Sequence, residues 1–344
     1  MVIRVNLALQ GGGAHGAFTW GVLERLLDEP GIEVAAISGT SAGALNGAAF
    51  KAGMLEDGRA GARAALADLW AQVGAAGDWR VQAWMLPFIP FASAWTEAVE
   101  AMMPVSPQGL AAQLFSPYAY GPAWRNPLER VVKRFRFDRV CAHEPPALFV
   151  SATNVRTGKI RVFEGSELST EAILASACLP TLFQAVEMHD PGTGATEAFW
   201  DGGYTGNPAL FPLFDPGLPD DVIVVSINPL RREDLPRTPF EIQSRINEIS
   251  FNSSLLREMR AINFVKELIA DGRIARGTMK DVRLHMIADD ALMNDLSAST
   301  KVAPTPFLLH RLRSAGHAAA DAFLRENGAA LGQRTTLDLP ALMA

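Results

Sequence analysis

Cysteine is scarce in this chain. Two residues in 344, Cys141 and Cys178, lie far apart and outside any CxxC or metal-ligand spacing. That excludes a disulfide-stapled scaffold and a cysteine-based metal centre, and it suits a reduced, cytoplasmic setting. Positive charge is also short, since 31 Lys and Arg face 37 Asp and Glu for a formal net charge of −6. A sequence-independent nucleic-acid binder would instead present a clustered basic face to phosphates. The densest basic stretch, 125–139, reads as a solvated helix face and strand edge. No apolar run approaches the roughly 18 residues of a bilayer-spanning helix, so any membrane contact is expected to be peripheral and mainly apolar. The start, Met1 to Leu9, carries one positive residue and runs straight into a glycine turn, without the length or cleavage site of a signal peptide.

What is present is an ordinary globular composition, 49% hydrophobic and 20% charged, in a chain long enough for a large α/β core. Val2 to Leu9 reads as a buried strand, Ala14 to Asp28 as a helix with Phe18, Val22 and Leu23 on one face, and Val34 to Ser38 as a second strand. Such a βαβ unit is right-handed and parallel, so the carboxyl ends of both strands open on one edge of the sheet. Helices are expected from Ala42 to Ala52 and from Arg59 to Val73. The stretch 74–125 crowds prolines, glycines and large apolar residues, including Trp79, Trp84, Phe88, Phe91 and Trp95, and reads as an insertion of short helices, either an ordinary second small core or a lid or acyl-chain wall. Further strands are expected at 147–153, 159–163, 183–188, 199–200, 222–228 and 282–287, a short helix at 170–178, and long helices at 241–270 and 305–326.

Three glycine-flanked elements stand out on this frame. Gly11-Gly-Gly-Ala-His-Gly16 follows the first strand, Gly39-Thr-Ser-Ala-Gly43 follows the second, and Asp201-Gly-Gly203 ends a later one. Ser41 falls between strand and helix, where helix N–H groups are unpaired and the dipole favours negative charge. Gly39 and Gly43 remove side chains on either side, which permits a sharp turn and close substrate approach. Consecutive glycine amides within 11–16, at a helix amino end, offer a nest suited to a developing oxyanion, where each donor supplies roughly 2.7–4 kcal/mol. A serine alcohol, amide donors and a carboxylate are the parts that acyl transfer requires.

Together these motifs, in this order and spacing, resemble the patatin-like phospholipase family of lipid acyl hydrolases. The resemblance covers roughly residues 4 to 230, and 151–158 and 175–180 look like the intervening family blocks. It implies a three-layer α/β/α fold with a mainly parallel sheet, an apolar insertion at 74–125, and a mostly helical C-terminal extension over 231–344. It also implies a Ser–Asp dyad without metal or cofactor, in which Ser41 is the nucleophile, Asp201 the general base, and the amides of Gly11, Gly12 and Gly13 the oxyanion hole. Gly16, Gly39, Gly43, Gly202 and Gly203 complete the motifs. Where the family's glycine motif often carries a basic residue, this chain has His15, a candidate for a supporting role. Asn207, in Gly206-Asn-Pro208, is a second one, placed to orient the loop that carries the base.

Three other readings compete at this level. A Ser-His-Asp triad would recruit His285, His310 or His317 after Asp201, but that scaffold places several strands before its nucleophile, and Ser41 follows only the second. Gly11, Gly13 and Gly16 also fit a dinucleotide fingerprint with Glu33 as its acidic residue, although Glu33 begins its strand rather than ending it. A non-catalytic lipid-binding protein would have no physical need for a carboxylate beside a serine. The expected reaction is therefore hydrolysis of carboxylic esters, most plainly of lipids.

Overall fold

The computed structural model of the chain describes residues 2–85, 116–120, 126–296 and 298–343. Eight strands form one sheet: β1 (Ile3–Leu9), β2 (Ile32–Gly39), β3 (Ala147–Asn154), β4 (Ile160–Glu164), β5 (Val186–Asp190), β6 (Ala195–Asp201), β7 (Asp221–Val225) and β8 (Arg283–Ile287). Their order is β5-β6-β3-β2-β1-β7-β8, with β4 paired to β3 outside that path. The central pairs β3-β2, β2-β1, β1-β7 and β7-β8 are parallel, while β4 and the hairpin β5-β6 run antiparallel.

Strand alternation sorts the core into two layers. On β1, Val5, Leu7 and Leu9 enter one apolar cluster and Ala8 the other; on β7, Ile223 and Val225 oppose Val222 and Val224. The first cluster is covered by α1 (Gly16–Leu27), α2 (Ala42–Met85), α5 (Thr170–Ser176) and α8 (Pro306–Asn327), while two short helices, α3 (Glu129–Val132) and α4 (Phe137–Val140), pack at its margin. The second cluster lies under α6 (Pro239–Ala270). Thr238 and Glu241 form a reciprocal capping box at the start of α6, and Pro239 occupies its first turn. The remaining helices are short, α7 (Asp290–Asp295) and α9 (Leu339–Met343).

The two helices expected at 42–52 and 59–73 are both present within the span α2, separated at Asp57 and Gly58, whose φ/ψ are non-helical, Gly58 taking a φ of 55°. Residues 74–85 continue α2, and Pro117–Tyr120 form one 3₁₀ turn; the rest of the expected insertion, and its lid role, lies outside the described residues. The C-terminal region is helical, as expected, and also supplies the edge strand β8. Helix α8 docks on α1 through two glycines. A Cβ on Gly21 would collide with Arg313 O, and one on Gly316 with Phe18 O. Arg313 reinforces this seam, reaching Glu24 at 2.6 and 2.9 Å and stacking 4.4 Å over the Trp20 ring.

One detail of register positions the site. On β3, Phe149 and Val150 pair with β2 on one side and β4 on the other, and Ala152 and Thr153 pair with β6 and β4. Because β4 occupies one edge throughout, β2 and β6 must share the other. They run in opposite directions and end facing each other, Gly39 opposite Val150 and Asp201 opposite Ala152.

Candidate active site

The turn between β2 and α2 holds Ser41 in a left-handed conformation at φ 54°, the sole positive φ among the described non-glycine residues. Such a conformation costs an L-residue roughly 1–3 kcal/mol and persists only where the surroundings over-determine it. Here they do. Thr40 N–H donates to Leu9 O at 3.2 Å, Thr40 Oγ1 donates to Gly206 O at 2.7 Å, and Ser41 N–H donates to Ser176 Oγ at 2.8 Å. A Cβ on Gly39 would lie 2.6 Å from Gly43 O, and one on Gly43 would overlap Leu9 O, so both glycines are sterically required. Ser41 thus sits at the amino end of α2, in its positive dipole.

Asp201 ends β6 and is 1% exposed. Its N–H donates to Cys178 O at 2.8 Å, its C=O accepts from Thr153 Oγ1 at 2.8 Å, and its Oδ1 accepts from Gly203 N–H at 2.8 Å. Burial pushes the carboxyl up to about 7, against the Gly203 N–H and the Ser41 hydroxyl, which hold it down. Ser41 is thus near enough to act on this carboxyl, yet no bond of full hydrogen-bond geometry joins it to Oδ2, which is buried without a partner among the described residues. Gly202 and Gly203 are held tightly too: a Cβ on the first would overlap Ser151 O, and one on the second would lie 2.9 Å from the Phe251 ring.

The glycine loop packs against this pair, since a Cβ on Gly11 would lie 2.7 Å from Ser41 Cβ and one on Gly16 would lie 2.6 Å from Ala42 Cβ. Its three amides differ. Gly11 N–H is engaged by Asn207 Oδ1 at 2.6 Å, whereas Gly12 N–H and Gly13 N–H meet no acceptor among the described residues. Asn207 therefore ties the glycine loop to the loop that follows Asp201, a more direct link than orienting its own loop alone. His15 is buried, with Nε2 2.7 Å from Thr300 Oγ1; burial and the nearby Lys301 lower it to about 3, so it carries no charge near neutral pH.

The competing constellations are not assembled. His285 is buried on β8 between Asp221 Oδ1 and Thr336 Oγ1, each at 3.0 Å, and Asp221 stands at the amino end of β7, across the sheet from the Ser41 turn. His310 is exposed, and His317 faces Asp28. Glu33 sits near the amino end of β2, paired with Arg4 and half exposed. Among the described residues no group of His, Cys, Asp and Glu could hold a metal, and no helix is long and apolar enough to cross a membrane.

A family model for patatin-like phospholipases matches residues 7–214. The chain belongs to the patatin-like phospholipase family. No curated protein matches it in sequence at a significant level. Among solved structures, VipD from Legionella pneumophila is 16% identical, with a TM-score of 0.41 over 94% of this chain and 67% of that one. The heterodimeric ExoU–SpcU complex from the type III secretion system of Pseudomonas aeruginosa is 17% identical, with a TM-score of 0.27 over 99% of this chain and 74% of that one. Membership therefore rests on the sequence match, and it marks this patatin-like protein as a lipid acyl hydrolase in general terms.

Several polar residues around the site carried no motif. Gln10 Oε1 accepts from the N–H groups of Ile227 and Asn228 at 2.9 and 3.0 Å, Asn228 Nδ2 donates to Gly11 O at 2.7 Å, and Asn252 Nδ2 donates to Pro229 O at 3.1 Å. Their one sequence signal is position, a glutamine just before the glycine run and an asparagine just past a buried strand.

Proposed function

We propose that this patatin-like protein hydrolyses carboxylic esters of lipids through a Ser41–Asp201 dyad and an acyl-enzyme. The observation that carries the reading is a strained serine at a helix amino end beside a buried aspartate whose pKa is raised to about 7. A carboxylate at its ordinary value near 3.9 is a poor base for an alcohol, whereas one near 7 is matched to neutral pH. Ser41 Oγ attacks the ester carbon as its proton passes to Asp201. The negative charge on the carbonyl oxygen is received by the free amides of Gly12 and Gly13, Gly11 N–H being already engaged. Collapse expels the alcohol, which takes the proton from Asp201, and water attacks the acyl-enzyme with Asp201 again as base.

Contact with a lipid aggregate would be peripheral. Ile242, Ile246 and Ile249 form an exposed stripe on α6, and exposed Val302 and Phe307 lie in the neighbouring segment. Such a stripe offers an apolar face for a lipid surface. The test of the reaction is turnover of p-nitrophenyl esters of graded acyl length and of phospholipid vesicles by wild type, Ser41→Ala and Asp201→Asn, each checked for folding by circular dichroism. Loss of turnover in both folded variants is expected. Survival of turnover in Ser41→Ala would overturn the reading.

A further inference from the structure

The peptide joining Gly11 to Gly12 has no side chain at either end to hold its orientation, yet its orientation decides what the site offers. In a planar trans peptide the C=O and the following N–H point to opposite sides. Gly11 O accepts from Asn228 Nδ2 at 2.7 Å and, more weakly, from Asn207 Nδ2 at 3.4 Å, so Gly12 N–H is turned away from Asn228 and left without a protein acceptor among the described residues. Rotated by half a turn, the same peptide would hide Gly12 N–H and present a carbonyl oxygen, which repels an oxyanion.

The Asn228 amide could hold either orientation, because it carries a donor at one end and an acceptor at the other. Its direction is set from both ends: Nδ2 donates to Gln10 Oε1 at 3.2 Å, and Lys301 Nζ donates to Asn228 Oδ1 at 3.1 Å. An ammonium can only donate, so Oδ1 must face Lys301 and Nδ2 must face Gly11 O. Lys301 is held in turn by Glu248 Oε1 at 2.9 Å, and Glu248 is fixed by a bidentate pair with Arg232 at 2.8 Å for both bonds. The same segment touches the loop twice more: Thr300 meets His15, and a Cβ on Gly13 would overlap Lys301 O.

We propose that Lys301 and Asn228 are positioning residues that orient the Gly11–Gly12 peptide and so aim Gly12 N–H as an oxyanion donor. Both lie beyond residues 7–214, so the part of the chain outside the family match completes the hole. The inference rests on the Ser41 reading above and deepens it.

Asn228→Asp tests it with a nearly isosteric change. The new carboxylate can only accept, so it keeps Lys301 and draws Gly12 N–H toward itself by turning the peptide. A merely structural role predicts a protein that, once folded, stays active, whatever stability it loses where the new oxygen faces Gln10 Oε1. The proposal predicts a folded protein whose kcat falls by a factor on the order of 10²–10³ at little-changed KM, the loss seen when one oxyanion donor is removed. Affinity for an alkyl trifluoromethyl ketone, whose hemiketal oxyanion with Ser41 occupies the hole, should fall in parallel. Lys301→Met removes the donor that holds Oδ1, loosening the amide, and should lower kcat about tenfold, as for loss of one charge-assisted hydrogen bond; it decides by the same criteria if Asn228→Asp does not fold. Retention of kcat and ketone affinity within about threefold would overturn the proposal, as would a loss confined to KM. Ser41→Ala in the same assays separates the two claims: if it is inactive while Asn228→Asp is not, only the positioning role fails.

Discussion

Asparagine in place of Asp201 would separate what the carboxyl does for chemistry from what its burial does to stability. The carboxyl moves from 3.8 to about 7 on folding, chiefly because burial disfavours its charged form. Between those values the folded chain holds a proton that the unfolded chain has released, so stability falls as pH rises. The contribution is fully present below pH 3.8, declines through the window up to about 7, and is gone above it. Three units at about 1.36 kcal/mol each give about 4 kcal/mol. Asparagine keeps the Oδ1 acceptor for Gly203 N–H and never ionises. Asp201→Asn should therefore match wild type near pH 4 and exceed it by about 4 kcal/mol near pH 8, roughly 5–6 °C in melting temperature for a chain of this size. Thermal melts of both proteins across that range read the difference directly, because all other titrations cancel. Activity moves oppositely. The kcat/KM of wild type should rise with pH through about 7, reaching near a tenth of its plateau at pH 6, while the variant loses a factor on the order of 10²–10⁴. A melting difference that does not widen with pH would refute the claim that Asp201 is buried as a high-pKa carboxyl.

Ser41→Gly should abolish turnover and raise stability by about 1 kcal/mol, since glycine tolerates the left-handed conformation that serine holds under strain; a denaturant midpoint at or below wild type would count against that strain. His285→Asn, on β8 beside the amino end of β7, should leave kcat unchanged while losing about 1–3 kcal/mol of stability as Asp221 Oδ1 and Thr336 lose a buried partner. Ile246→Glu should reduce turnover on phospholipid vesicles several-fold and leave hydrolysis of a soluble short-chain ester intact, which vesicle co-sedimentation and the two substrates together would show.

Much of the fold was legible because its signals are local. The strand, glycine turn, helix and strand of β1, α1 and β2 lie within the first 39 residues, and their periodicities do not depend on distant contacts. Thr238-Pro239 before a periodic apolar run marks the start of α6, and Thr305-Pro306 that of α8. The expected junction between two helices falls at Asp57 and Gly58, where a glycine of positive φ breaks the helix and turns the chain without a long loop. The antiparallel hairpin β5-β6 was less visible. Its turn at 191–194 carries ordinary turn residues, but β5 is an edge strand with alternating polar residues and has little apolar pattern to read. Ser41, Asp201 and the glycines stand out because their steric demands leave few alternatives. Gln10, Ser176, Asn228, Glu248 and Lys301 do not, since a polar residue reveals its partner only once the chain has folded around it. Nothing local distinguishes Lys301 from a surface lysine; its role is defined by an asparagine on another element.

Because β2 and β6 end against one edge of β3, the distance between serine and aspartate is a ladder register, not a matter of how much chain lies between them. A slip of β6 by one residue would carry Asp201 about 3.3 Å along the strand and turn its side chain to the other face of the sheet. By contrast, length added at the exposed turn 191–194 changes neither strand's register. The pair is thus insulated from insertion and sensitive to alignment, so this scaffold can vary its loops freely while Ser41 and Asp201 stay on a common ruler.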